Sequence, residues 1–329
     1  MRLNFTDFMK HTVVENEPYS ILLRIKKCIK TALPQGLKTA IWLLKITIPV
    51  SFGVMLLDFF GGLEFIAQYT TPVFKFIGLP GVAAIIIITS VFTNIYSVIA
   101  VLTALSLPVR DGTIIAVMCL ISHGFIIETA VLKKTGSQPV RMLLLRLTAS
   151  FLAGWVLNKI MPGSSSVESY ISVADNKIFS EVLISWFYVI GKTVLKILVL
   201  VNLLLILQKI LEEFGLIKWL ERPLKPLMKL FGLPEETTFS WIVANTLGLA
   251  YGSAVMISQV NDGKMNKTQA DKLNHHISLS HSQLEDPLLF LTLGYSMPWL
   301  IFPRVAVAII AVWLRNLELF IKNNNKIIS

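Results

Sequence analysis

Long apolar stretches separated by short polar ones set the plan of the chain. Ala83 to Leu107 is an uncharged run of 25 residues, longer than the roughly 20 a helix needs to cross a bilayer. Ahead of it, the pattern predicts a first span over 40–60, with Lys45 near its cytoplasmic end and Pro49 as a kink. An amphipathic stretch, 63–77, follows and closes on Gly78-Leu79-Pro80, whose proline can open the helix predicted over 82–107. That helix carries Thr89, Ser90, Thr93, Asn94, Tyr96 and Ser97. A segment over 113–132 holds His123 and Glu128, a basic Gly/Pro loop holds Lys133, Lys134 and Arg141, and 142–160 crosses again. The second half runs in the same order: 182–207 spans, 209–231 is amphipathic and basic, and 238–260 spans with Asn245, Tyr251, Ser253 and Ser258. Then 273–293 holds a second His/acid motif and 297–315 spans. Residues 1–37 contain no apolar run of signal-peptide character. There, Ile21, Leu22, Ile25, Cys28 and Ile29 lie opposite Arg24, Lys26, Lys27 and Lys30. This is a basic amphipathic helix, which either lies on an anionic cytoplasmic membrane face or packs on the protein's own loops.

The two halves are copies. Ser122-His123-Gly124-Phe125-Ile126-Ile127-Glu128 matches Ser280-His281-Ser282-Gln283-Leu284-Glu285-Asp286, and Gly136/Gly294, Arg146/Arg304 and Trp155/Trp313 keep the same offset of 158. Upstream, Pro72/Pro226, Lys75/Lys229 and the two Gly-Leu-Pro tripeptides keep an offset of 154. Two similar halves with polar-bearing segments at matching positions point to a secondary-transporter-like site at the repeat interface.

Composition narrows the class. With 54% hydrophobic and 15% charged residues and a mean hydropathy of +0.68, the chain fits an integral membrane protein rather than a soluble enzyme. The net charge of +10 then marks cytoplasmic segments instead of nucleic-acid affinity. Cys28 and Cys119 give neither a disulfide framework nor a thiolate metal site.

Charge also bears on topology. Four crossings per half would put the acidic linker, with Glu168, Asp175 and Glu181, on the side of the basic N-terminus. If 113–136 and 273–294 are re-entrant, each half crosses three times, the linker falls outside, and the basic 209–231 segment and C-terminus fall inside, in agreement with the positive-inside rule. The expected fold is an all-α integral membrane protein of two inverted repeats, about six transmembrane helices and two re-entrant segments. Its parts are a cytoplasmic N-terminal segment (1–37), repeat 1 (38–160), an external linker (161–180), repeat 2 (181–316) and a cytoplasmic tail (317–329). The expected location is the bacterial plasma (inner) membrane, multi-pass, with both termini cytoplasmic.

The paired Gly-Leu-Pro turns, Thr93-Asn94-Ile95-Tyr96-Ser97 with Gly248-Leu249-Ala250-Tyr251-Gly252-Ser253, and the Ser-His motifs together resemble the nucleoside-recognition, or Gate, domain family. That family includes the membrane part of ferrous iron transporter B, spore maturation membrane proteins and, more distantly, concentrative nucleoside transporters. The resemblance covers about residues 38–316 and implies an inverted pair of Gate units around a membrane-embedded pocket. No Gly-x-x-x-x-Gly-Lys-Ser/Thr phosphate loop accompanies it, and the polar signature of the nucleoside carriers is missing, so the family name does not fix a substrate.

Ionisable groups at membrane depth need partners or a job. Glu128/Arg146 and Asp286/Arg304 share a spacing of 18 and read as repeated structural ion pairs, or as direct ligand or proton contacts. His123 and His281 can switch charge, ligate a metal or bond a solute, or sit as satisfied core histidines; the metal question stays open. Ser282, Gln283 and Glu285 have no polar counterparts in the first copy, which makes the second motif the better candidate for reading a ligand. Asn94, Tyr96, Ser97, Asn245, Tyr251 and Ser253 line the same pocket or make interhelical hydrogen bonds. The leading expectation is a non-enzymatic, cofactor-free protein moving a small polar solute (nucleoside-like, metal or small anion). The alternative is a Gate-type scaffold or regulatory partner, acting as a homo-oligomer or with a second Gate protein. A hydrolase using His281 and Glu285 lacks a nucleophile arrangement.

Overall fold

The computed structural model describes residues 21–105, 107–163 and 178–328. Among them the chain is helical throughout, with no strand. The first half comprises α1 (Ile21–Phe59), α2 (Gly62–Phe76), α3 (Ala83–Phe92), α4 (Ile95–Leu105), α5 (Val109–Ser122), α6 (Phe125–Lys134) and α7 (Pro139–Ile160). The second comprises α8 (Phe179–Glu213), α9 (Leu216–Leu230), a 3-10 turn (Glu235–Thr237), α10 (Thr238–Thr246), α11 (Leu249–Asn261), α12 (Lys267–Ser280), α13 (Glu285–Leu291) and α14 (Met297–Ile328). Each element of the first half has a counterpart, in order, in the second.

The two Gly-Leu-Pro turns end α2 and α9 identically. Gly78 and Gly232 take left-handed φ values of 74° and 71°, and the N–H of Leu79 reaches Phe74 O (2.9 Å) as that of Leu233 reaches Met228 O (2.8 Å). These bonds close a Schellman cap, which needs a residue free of the Cβ penalty. Asn316, equivalent to Asn158, donates to Gly232 O at 2.8 Å.

By length and apolarity α7, α8 and residues Met297–Asn324 of α14 can each cross a membrane, and α5 with α6 passes the same test as a pair. The counterparts α1 and α8 pack antiparallel. Arg24 meets Glu213 (2.9 Å), Ala40 and Leu44 meet Ile197 and Val201, and Trp186 Nε1 donates to Ser51 Oγ (3.1 Å). The expected surface helix of the N-terminal segment is therefore the start of α1, packed on the end of α8; its residues 1–20, like most of the 161–180 linker, lie outside the described residues.

α5 and α6 are bent by 41° at the break between them, the geometry of a broken span or of a re-entrant segment. A reversal is seen one element earlier. Ser240 Oγ donates to Gln259 Oε1 (2.6 Å), and a Cβ on Gly252 would sit 2.7 Å from Ala244 Cα. Hence α10 and α11 form a tight antiparallel hairpin, where 238–260 is expected to span. In the first half the predicted 82–107 helix likewise breaks between α3 and α4 at Thr93-Asn94. At about 1.5 Å per residue, α3 and α4 reach about 15 and 17 Å, each half of a bilayer core.

Between these elements, α5 is central, with every residue from Asp111 to Ser122 buried. At one end of the molecule the α6–α7 loop, the start of α12 and the end of α14 are tied together. Ser137 Oγ donates to Asp271 Oδ1 (2.6 Å), Arg141 binds Glu318 through two nitrogens (2.6 and 3.0 Å), and Arg315 Nε donates to Asp271 Oδ2 (2.8 Å). At α7's other end, Arg110 donates to Asn158 O (2.7 Å).

Candidate functional site

Breaking a helix frees carbonyls on one side and N–H groups on the other. The breaks after α5 and α12 are satisfied in matching ways. The N–H groups of Gly124 and Ser282 donate to Ser90 O (2.9 Å) and Ala244 O (3.0 Å), and that of Leu284 to Asn245 O (3.2 Å). The tip of α3–α4 and the tip of α10–α11 thus each dock on a break. The freed carbonyls are taken by buried arginines. Arg146 donates through Nε to Ile121 O (2.9 Å) and through its terminal nitrogen to His123 O (2.6 Å). Arg304 does the same to Leu279 O (3.3 Å) and His281 O (2.6 Å). A cation is also what the negative end of a helix dipole favours.

This capping alters the expected ion pairs. Glu128 lies 2.7 Å from Arg146 through Oε2, at an angle that makes it a charge contact rather than an aligned hydrogen bond. No such pair joins Asp286 to Arg304. Arg304 gives Nε and one terminal nitrogen to backbone carbonyls, while its other terminal nitrogen and Asp286 Oδ2 are both buried without a hydrogen-bond partner.

The two motifs meet. His123 Nε2 is 2.9 Å and His281 Nε2 3.4 Å from the same oxygen, Glu128 Oε1, and the imidazole centroids are 5.2 Å apart. His123, His281 and Asp286 are 8%, 1% and 5% exposed, so the centre is shielded from solvent. His123, Glu128 and His281 each offer a ligand atom within 4.8 Å of the others, a spacing able to hold a metal ion.

The remaining expected residues divide. Tyr96 OH donates to Glu285 Oε1 (2.8 Å), tying α4 to the second motif. Asn94 Oδ1 caps α4 by accepting from the N–H groups of Tyr96 and Ser97, both at 3.1 Å. Asn245 Nδ2 turns back to Trp241 O (2.9 Å). Ser253 Oγ and both amide atoms of Gln283 are buried without hydrogen-bond partners. Tyr251 stands apart, 49% exposed, because its neighbour Gly252 is the residue facing α10 and successive helical positions point about 100° apart.

Sequence reasoning missed the carbonyl-capping work of the arginines and the chain Trp241–His276–Ser280, in which His276 Nδ1 accepts from Trp241 Nε1 at 3.2 Å and lies 2.7 Å from Ser280 Oγ, which donates to His276 O at 3.0 Å. It also missed the Asp271–Arg315–Glu318 network, signalled only by charges in otherwise apolar helices.

One asymmetry is in the backbone. Gly124 has φ 57° and its counterpart Ser282 has φ 52°, the sole left-handed non-glycine among the described residues. Such strain gathers where a side chain is needed. Ser282→Gly is expected to raise stability by about 1 kcal/mol in thermal unfolding; a loss instead would mean that the hydroxyl holds the break together.

These features can be set beside known proteins. The chain is 29% identical over 293 residues to the uncharacterized membrane protein YvoD of Bacillus subtilis (strain 168), a match covering 87% of this chain and 93% of that protein. It is thus similar to a membrane protein along most of its length. No family model matches, and no solved structure does. The match takes in most of both halves and, with the apolar helices, supports a helical membrane protein.

Proposed function

We propose that the chain is a secondary-transporter-like protein of the bacterial plasma membrane, not an enzyme, that moves a small polar solute through the centre where the two Ser-His motifs meet. The observation that carries this reading is the convergence of His123, His281 and Glu128 from opposite halves at two helix breaks. Unpartnered buried polar atoms of Gln283 and Asp286 belong to the same motif. Buried polar groups without partners are costly unless a ligand or water completes them.

The reading includes inversion of the halves. Equivalent helices related by an axis along the membrane normal would run parallel; α1 and α8 run antiparallel, which supports an axis in the membrane plane. With α3–α4 and α10–α11 as the re-entrant hairpins, each half crosses three times: α1, α5–α6 and α7, then α8, α12–α13 and α14. The linker then lies outside, both termini lie inside, and the loop carrying Lys264 and Lys267 joins the cytoplasmic side, in keeping with the positive-inside rule. The contacts of Ser137 with Asp271 and Arg141 with Glu318 fall on one face in this arrangement.

A thermal-shift screen of the purified protein against nucleosides, divalent metals and small carboxylates tests the site. A ligand at 100 times its Kd should add about 2.7 kcal/mol, and Gln283→Leu, which deletes atoms with no internal partner, should diminish that shift while leaving the unliganded protein's stability nearly unchanged. Silence across all three classes would favour a scaffold.

A further inference from the structure

His123 Nδ1 lies 3.2 Å from Cys119 O, and His281 Nδ1 lies 2.8 Å from Ile277 O. A carbonyl can only accept, so each ring carries its hydrogen on Nδ1. Both Nε2 atoms face Glu128 Oε1, at 2.9 and 3.4 Å, and a carboxylate oxygen is only an acceptor. Each contact therefore needs a positive bridge: a proton on Nε2, or a metal ion that takes an electron pair from all three atoms. With both rings neutral, the three atoms are electron-pair donors converging from two halves of the chain.

We propose that this centre binds a divalent transition-metal ion of the zinc or ferrous class through His123 Nε2, His281 Nε2 and Glu128 Oε1. Tetrahedral bonds of about 2.0–2.1 Å to nitrogen and oxygen put ligand atoms about 3.3 Å apart, and the separations from Glu128 bracket that value. The surroundings are those of a metal site: each imidazole is oriented by a carbonyl on its far nitrogen, and the second oxygen of Glu128 is held by Arg146. Two imidazoles select against magnesium and calcium, which take oxygen ligands. Asp286, 5% exposed and with an unpartnered oxygen, lies in the same electrostatic neighbourhood as His123, Glu285, Arg304 and Glu128.

This names a ligand for the centre already read as the solute site and rests on that reading, but binding and transport can be measured apart. The full-length protein, purified in detergent and stripped with chelator, is titrated with Co²⁺, Zn²⁺ and Mg²⁺. The expected result is a single Co²⁺ bound per chain with the visible absorption of a four-coordinate site, competed by Zn²⁺ and not by Mg²⁺. His281→Ala should weaken binding by roughly 100-fold or more, beyond the usual effect of removing an outer-shell partner. His281→Cys should retain the ion and add a thiolate-to-cobalt band in the near ultraviolet, so the test survives if the alanine variant does not fold. Absence of tight Co²⁺ or Zn²⁺ binding, or undiminished binding by a folded His281→Ala protein, would overturn the assignment. In proteoliposomes, metal binding without flux would leave the metal site standing and remove transport. Flux of another solute by protein that binds neither Co²⁺ nor Zn²⁺ would do the reverse.

Discussion

Arg304→Met should cost about 3–5 kcal/mol in thermal or denaturant unfolding, and Asp286→Asn should return only the smaller part of it. The reason is that Arg304 holds Leu279 O and His281 O at the end of α12, so its loss strands two buried carbonyls. A hydrogen bond from a charged donor contributes about 1.5–3 kcal/mol, and an unbalanced buried site costs several. Arg304→Lys should recover only part, because a point-like ammonium cannot span both carbonyls as the planar fork does. The first copy is expected to behave differently. Glu128 contacts Arg146 at 2.7 Å, so the double-mutant cycle of Glu128→Gln with Arg146→Met should give a coupling of about 1–3 kcal/mol, larger than that of Asp286 with Arg304, which are not in ion-pair contact. Equal couplings in the two cycles would show that both arginines serve the same partner type.

Gly252→Ala should destabilise the protein by about 3 kcal/mol. The added carbon would lie 2.7 Å from Ala244 Cα and 2.9 Å from Ala244 N, and these are backbone atoms that cannot rotate away. Relief requires the two arms of the hairpin to part, which would pull Ala244 O and Asn245 O from the N–H groups of Ser282 and Leu284. Loss of stability should therefore be accompanied by loss of whatever the centre binds. Gly191, where an added Cβ would meet nothing within 4 Å, is the control: Gly191→Ala should be neutral or slightly stabilising, as alanine is the better helix former. Equal tolerance at both positions would refute the hairpin contact.

The repeat was legible in the sequence because side chains with few substitutes mark it: the Gly-Leu-Pro turns demand a left-handed residue, and the buried arginines recur at one spacing. The meeting of His123 with His281 also followed from their matched positions. The place of the reversal did not. Ala83 to Leu107 is uncharged and long enough to span, and the break at Thr93-Asn94 lacks a proline or glycine to signal it. In the second half Gly248 and Gly252 are both present, but one serves the tip and the other the crossing of the arms. Composition alone does not separate these uses. The arginines were read as partners of the acids 18 residues earlier because charge is visible in a sequence, whereas a carbonyl freed by a broken helix is not.

The sharing of Glu128 between the two histidines orders events in time. During synthesis the first half can place His123, Glu128 and Arg146 together as soon as α7 is made, while His281 follows His123 by 158 residues, about 8–30 s later at 5–20 residues per second. The early half thus waits with one histidine in place and an acid turned toward an absent neighbour, and the late half arrives to a finished counterpart. A nascent chain interrupted in that interval would expose the α5 break on the side that α12 later covers.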